Sequence, residues 1–178
     1  LKPLEGVFLA FALWRFIGAH GLKGKIDVFD CHLAFPEGFA GALLARVIGK
    51  PYVVTLRGHD INDLPRFPVR IRQVLYALRH SARYFGVARA LVDGAIRLGA
   101  PPDKGHASTN GVDTARFHPT AKIDARAALG LRTDRRYMLS VSHLVPRKGV
   151  DILLRAHALL RAAGHTDLCF IVVGQGGE

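Results

Sequence analysis

Arg147 and Lys148 stand side by side in Leu144-Val-Pro-Arg-Lys-Gly149, between an apolar run that ends at Val141 and a helix-patterned segment that begins at Val150. A second apolar run, Phe170-Ile-Val-Val173, closes in Gly174-Gln-Gly-Gly177. The pattern reads as strand, cationic loop, helix and strand. Backbone N–H groups at a helix start, together with two cations, suit an anionic ligand. A guanidinium grips a phosphate at two points and an ammonium adds a point charge, so a nucleotide diphosphate fits the pair. Gly149 keeps the helix start free of a side chain. The same two residues read as solvated loop cations require no ligand. The Gly174–Gly177 turn lacks the GxGxxG spacing after a first strand and is a weak dinucleotide signal.

Three further features fall at the ends of apolar runs, where open α/β sheets bind their ligands. His32 follows Ile26-Asp-Val-Phe-Asp-Cys31. Its imidazole suits a hydrogen bond to a substrate hydroxyl or a proton transfer, and it also suits a satisfied strand-end histidine. Arg57-Gly-His-Asp60 follows Tyr52-Val-Val-Thr-Leu56. Gly58 allows close backbone approach. Asp60 fits either capping of the next segment or acceptance from sugar hydroxyls, and His59 faces either way. Asn110-Gly111 is a turn dipeptide between two α/β stretches, so a hinge is expected there, with Phe117 and Pro119 packing the connection.

The elements that must position these groups alternate along the chain. Helices are expected over residues 4–20, 40–48, 69–80, 88–98, 124–129 and 150–163. Strands are expected over 26–31, 52–56, 84–87, 137–141 and 168–173. Pro36-Glu-Gly38 reads as a turn, and the segment holding Pro65 and Pro68 as a loop. Tyr52–Leu56 is apolar without alternation, the pattern of a strand covered on both faces. Alternation of this kind predicts a parallel sheet with helices on both faces. The polar, turn-rich stretch 111–135 predicts a domain boundary, placed at 115/116.

The chain has 178 residues, 49% of them hydrophobic, which excludes general disorder. Its formal charge is +11, open to a polyanion partner or to a merely solvated surface. The basic residues are scattered rather than blocked, which argues against nucleic acid. Cys31 and Cys169 are the only cysteines and suit buried free thiols in a reducing compartment. The apolar opening Val7–Trp14 is interrupted by Arg15 and falls short of a membrane span. There is no secretory signal. The expected location is cytoplasmic, with peripheral contact at the inner membrane face open.

Taken together, His32-Leu-Ala-Phe-Pro-Glu-Gly38, Thr55-Leu-Arg-Gly-His-Asp60, Asn110-Gly-Val-Asp-Thr-Ala-Arg-Phe-His-Pro119 and Leu144-Val-Pro-Arg-Lys-Gly-Val-Asp151 resemble family 4 retaining glycosyltransferases of the GT-B fold. The resemblance implies two Rossmann-like domains across a cleft, both incomplete here. Residues 1–115 would be the C-terminal half of the acceptor domain. Residues 116–178 would be the linker and first βαβ unit of the nucleotide-sugar domain. It implies sugar transfer from a nucleoside-diphosphate-sugar to a glycan, lipid-linked or small-molecule hydroxyl, with no metal and no resident cofactor. Arg147, Lys148 and Gly149 would meet the donor diphosphate. His32 and Asp60 would serve the chemistry, with Gly58, His59, Asn110 and Gly111 along the cleft. The chain departs from the family pattern in three places. Ser142 and His143 stand where glycine and arginine are common, and Arg57 stands where many members have histidine. The family's paired glutamates would fall beyond Glu178, and its glycine-rich loop before residue 1. The expected molecule is an internal piece, inactive alone. Alternatives are a nucleotide-sugar epimerase, a glycogen-synthase-like polymerase, or a non-enzymatic basic protein binding phosphate or nucleic acid.

Overall fold

A computed structural model describes residues 2–177. It divides into two units, Leu1–Val112 and Asp113–Glu178.

In the first unit, helix α1 (Glu5–Ala19) leads to β1 (Phe29–His32). Then come α2 (Phe39–Ile48), β2 (Tyr52–Leu56), the short α3 (His59–Asn62), α4 (Pro68–His80), β3 (Arg83–Gly86), α5 (Arg89–Arg97) and β4 (Gly105–Ala107). The strands form one parallel sheet in the order β1-β2-β3-β4. Sequence order and spatial order coincide, so right-handed crossovers oblige every connecting helix to lie on one face. The packing agrees. Gly41 of α2 sits against Cys31 and Tyr52, Gly38 against Val54 and Ala77, and Val92 of α5 against Gly86.

That arrangement corrects the expected helices on both faces. Tyr52, Val54 and Leu56 are buried under the helices, whereas Val53 and Thr55 are only half-buried. The opposite face carries Asp30, His32, Arg83 and His106, polar groups that need no helical cover. Strand β1 is likewise shorter than expected and one-sided: only Cys31 is buried in it. The expected turn at Pro36 is one wide helical turn, Ala34–Gly38, continuous with α2. β4 escapes the sequence reading because three residues, Gly-His-Ala, carry no periodicity.

Helix boundaries follow local chemistry. α2 ends at Gly49, which adopts φ 75°, a left-handed cap open to glycine. α4 opens on Pro68 at its first position, where a missing N–H costs nothing. Tyr84, Leu56, Leu78, Val54, Val74 and Val92 are the largest fully buried side chains of the core.

The second unit holds α6 (Lys122–Ala128), β5 (Arg136–Val141), α7 (Val150–Ala162) and β6 (Leu168–Val173). β5 and β6 pair in parallel from Arg136↔Leu168 to Val141↔Val173. Among the described residues no helix is long and apolar enough to cross a membrane.

Candidate functional site

The carboxyl ends of β1 and β2 are joined by one buried carboxylate. Asp60 has no solvent exposure. Its Oδ2 accepts the Ala34 N–H at 3.0 Å, and its Oδ1 accepts the N–H groups of Gly58 at 2.9 Å and Arg57 at 3.2 Å. The sequence placed Asp60 among the catalytic groups. Geometry corrects this: a buried carboxylate spent on three backbone amides positions two loops and does not reach an acceptor hydroxyl. Gly58 adopts φ 115°, which only glycine takes without strain, so its role is the turn itself.

The loops held by Asp60 present His32 and Arg57. Arg57 donates from Nη2 to His32 Nδ1 at 2.7 Å. Because a guanidinium has no acceptor, Nδ1 must be the unprotonated nitrogen, and Nε2–H faces Asp30 Oδ2 at 3.3 Å. Both ring nitrogens are therefore engaged. The proton-transfer role expected of His32 is corrected to that of a bridge between Asp30 and Arg57. The arrangement lines a depression of about 410 Å³, to which Thr55, Ser108, Thr109 and Asn110 also contribute. Gly111 lines it too. Asn110-Gly111 is not the expected turn; it runs as an irregular exposed segment. The turn comes at Asp113, whose Oδ1 accepts the N–H groups of Ala115 and Arg116. His59 is directed to Asp63 Oδ2 at 2.8 Å and does not line this depression.

Sequence reasoning missed Glu37. Its Oε2 is buried without a hydrogen-bond partner, and burial holds its carboxyl above the usual range. It lines a neighbouring hollow with Cys31, His32 and Gly41. A lone glutamate in an apolar stretch gives no periodic signal, so only the fold could reveal it.

The second unit carries the cationic turn. Pro146–Lys148 form one turn of 3-10 helix, and Gly149, at φ 65°, turns the chain into α7. Gly149 thus supplies a left-handed residue, beyond the mere lack of a side chain. Arg147 and Lys148 are exposed and form no ion pair among the described residues. The first α7 N–H to find a partner is that of Leu153, on Gly149 O, so the amides before it point free of the helix. Asp151 lies in that first turn, near Arg155 at 3.9 Å. The buried Oγ of Ser142 has no partner.

The glycines after β6 gain a reason. Ser142 N–H donates to Val173 O and Leu144 N–H to Gln175 O, and Leu144 bridges to Gly176. A Cβ on Gly174 or Gly176 would run into the carbonyls of Ser142 and Leu144. The Gly174–Gly177 segment therefore extends the strand pairing and seats the turn. No three His, Cys, Asp or Glu side chains among the described residues are grouped to hold a metal.

Two family models match the chain: Glycosyltransferase Family 4 over residues 1–116 and Glycosyl transferases group 1 over residues 121–178. A D-inositol 3-phosphate glycosyltransferase of Thermobispora bispora is 40% identical over 173 residues, covering 89% of this chain and 37% of that protein. The GDP-mannose-dependent alpha-(1-6)-phosphatidylinositol monomannoside mannosyltransferase of Mycolicibacterium smegmatis is 31% identical, covering 94% of this chain and 43% of that one. The chain thus spans less than half the length of these relatives. Among solved structures, Anabaena HepE in complex with UDP superimposes with a TM-score of 0.73 at 20% identity, over 99% of this chain and 46% of that one. That agreement shows the GT-B fold.

Proposed function

The chain belongs to glycosyltransferase family 4, and from that premise we propose that the whole protein moves a sugar from a nucleoside-diphosphate-sugar to an acceptor hydroxyl, with retention at the anomeric carbon. The observation that carries the reading is the Pro146–Gly149 turn. Two exposed cations without ion pairs stand there beside the unused amides that open α7. As the bond from the anomeric carbon to the diphosphate oxygen breaks, negative charge gathers on that oxygen. Lys148, Arg147 and the helix start stabilise it, and the unpartnered Ser142 hydroxyl offers one more donor. In this reading charge neutralisation comes from side chains and backbone, without a metal. The first unit holds the acceptor in the His32–Arg57 depression.

The test is the product. Purified full-length protein is incubated with a panel of nucleoside-diphosphate-sugars and polyol acceptors, in chelator. Expected are free nucleoside diphosphate and a glycoside whose anomeric coupling matches the donor's configuration. An inverted glycoside removes retention. An isomerised nucleotide-sugar without transfer favours an epimerase. An absolute need for divalent metal overturns the account of the leaving group.

A further inference from the structure

Arg57 stands where its charge has been left unused. Its backbone N–H is fixed by Asp60, and its side chain is exposed. One donor, on Nη2, goes to His32 Nδ1 at 2.7 Å; no other side-chain partner is found among the described residues. A carboxylate is close by in sequence and space, yet it does not take the guanidinium. Asp30 Oδ2 is turned to His32 Nε2 instead, at 3.3 Å, and the imidazole ring stands between the two charges. The side chains of Asp30 and His32 are 58% and 51% exposed, so water, not protein, surrounds the rest of the group. A guanidinium that served only to brace the fold would close on Asp30 as a two-point pair. Here a neutral ring holds one edge of it, and the remaining donors are left for something else.

The surroundings say what that is. Arg57 lines the depression of about 410 Å³ at the carboxyl ends of the strands, together with Thr55, Ser108, Thr109 and Asn110. Each of those four side chains offers a hydrogen-bond donor. A planar fork supplemented by hydroxyl and amide donors matches a group with three acceptor oxygens better than a carboxylate with two. We infer that Arg57 binds a phosphate group carried by the acceptor, so that the site selects a phosphorylated polyol over its neutral counterpart. Asp30 and His32 are the positioning residues of this arrangement: they fix the edge of the guanidinium that the phosphate does not use.

This inference rests on the acceptor assignment made above, and the experiment separates the two. The first arm uses inorganic phosphate alone. Full-length protein with labelled arginine and histidine is titrated with phosphate while the Arg57 Nε–H and His32 ring resonances are followed. Saturable, salt-sensitive shifts are expected, abolished in Arg57→Gln, retained in weakened form in Arg57→Lys, and retained in Lys148→Ala. The last variant excludes binding at the cationic turn. The second arm compares kcat/KM for a polyol and its monophosphate. Arg57→Gln should lower the preference for the monophosphate at least tenfold through acceptor KM, with donor KM unchanged. An equal loss for both acceptors would make Arg57 a brace for His32 and overturn the inference. Phosphate shifts that persist in Arg57→Gln would overturn it too. Phosphate binding at Arg57 with no transfer to any acceptor would sustain the binding site and sink the transferase reading instead.

Discussion

Asp60 Oδ2 accepts the amide hydrogen of Ala34 at 3.0 Å across 26 residues of chain, and so fastens the loop after β1 to the loop after β2. The bond sits just after Leu33, the one non-glycine residue with positive φ, at 88°. A backbone in that region costs on the order of 1–3 kcal/mol and persists only where its surroundings hold it. Asp60→Ala removes the holder and leaves three amides without their acceptor. It should cost about 3–5 kcal/mol, the range for breaking a buried charged network. Urea denaturation of the full-length protein measures it. Asp60→Asn, which keeps one acceptor oxygen, should fall between. A loss below ~1 kcal/mol for the alanine variant would show that the two loops are held by something else.

The His32 ring should be a neutral Nε2–H tautomer. Arg57 has only donors to offer, so the nitrogen it meets must accept. Long-range proton–nitrogen correlation spectra read the tautomer directly. A proton on Nδ1 would break the Asp30–His32–Arg57 chain on which the acceptor site depends. Arg57→Ala should leave stability within ~1 kcal/mol, because the contact is exposed, while releasing the ring to both tautomers.

Alkaline lability should trace in part to Cys31. Burial against Gly41, seconded by the charges of Asp30 and Glu37, pushes its thiol from 9.0 up to about 11. The unfolded thiol loses its proton near 9.0, so between there and pH 11 the folded chain binds more protons than the unfolded one. Stability is then full below pH 9 and falls as pH rises through that window. Tyr52, raised by its own burial and donating to Ala77 O, adds a loss further up. Urea midpoints between pH 8 and 10.5 should fall less steeply in Cys31→Ala than in the parent. Alkylation at pH 8 should modify the half-buried Cys169 well before Cys31. The reverse order would mean that Cys31 is open to solvent.

Much of this was legible before the structure. Strong periodicity fixed α1, α2, α4, α5 and α7, and unbroken apolar runs fixed β2 and β6. What escaped has physical causes. β4 is too short for any pattern to emerge. The one-faced sheet follows from strand order, which no local window contains. Asp60 is ambiguous because a carboxylate that caps amides and one that meets a hydroxyl are the same residue type at the same place; burial alone separates them. The Gly174 and Gly176 signal was visible, yet its meaning lay in the carbonyls of Ser142 and Leu144, on a different strand.

Lys148→Ala should weaken donor use without touching the fold. The side chain is exposed and bonds nothing in its unit, so stability should change by less than ~0.5 kcal/mol. Loss of a hydrogen bond to a charged diphosphate should cost about 1.5–3 kcal/mol in kcat/KM for the donor. Initial rates at varied donor concentration give the figure. Rates equal to the parent's would place the donor phosphates elsewhere, and the Pro146–Gly149 turn would lose its assigned purpose.

Two glycines of the donor unit should fail in different ways. A Cβ on Gly149 would find open space, its nearest neighbour being Ile152 Cδ1 at 3.7 Å, so Gly149→Ala is opposed only by its left-handed φ of 65°. That penalty is about 1–2 kcal/mol. It should lower Tm by a few degrees, and Gly149→Asn should recover part of the loss, since asparagine tolerates the conformation. At Gly176 the backbone of Leu144 fills the space a Cβ would need. Gly176→Ala must therefore open the bridge to Leu144 and carry the cationic turn away from the strand it is seated on. Donor kcat/KM should fall far more in this variant than in Gly149→Ala at a comparable Tm. Equal kinetic losses would mean that the turn is fixed by its own φ/ψ rather than by the β6 extension, and the glycines after β6 would need another explanation.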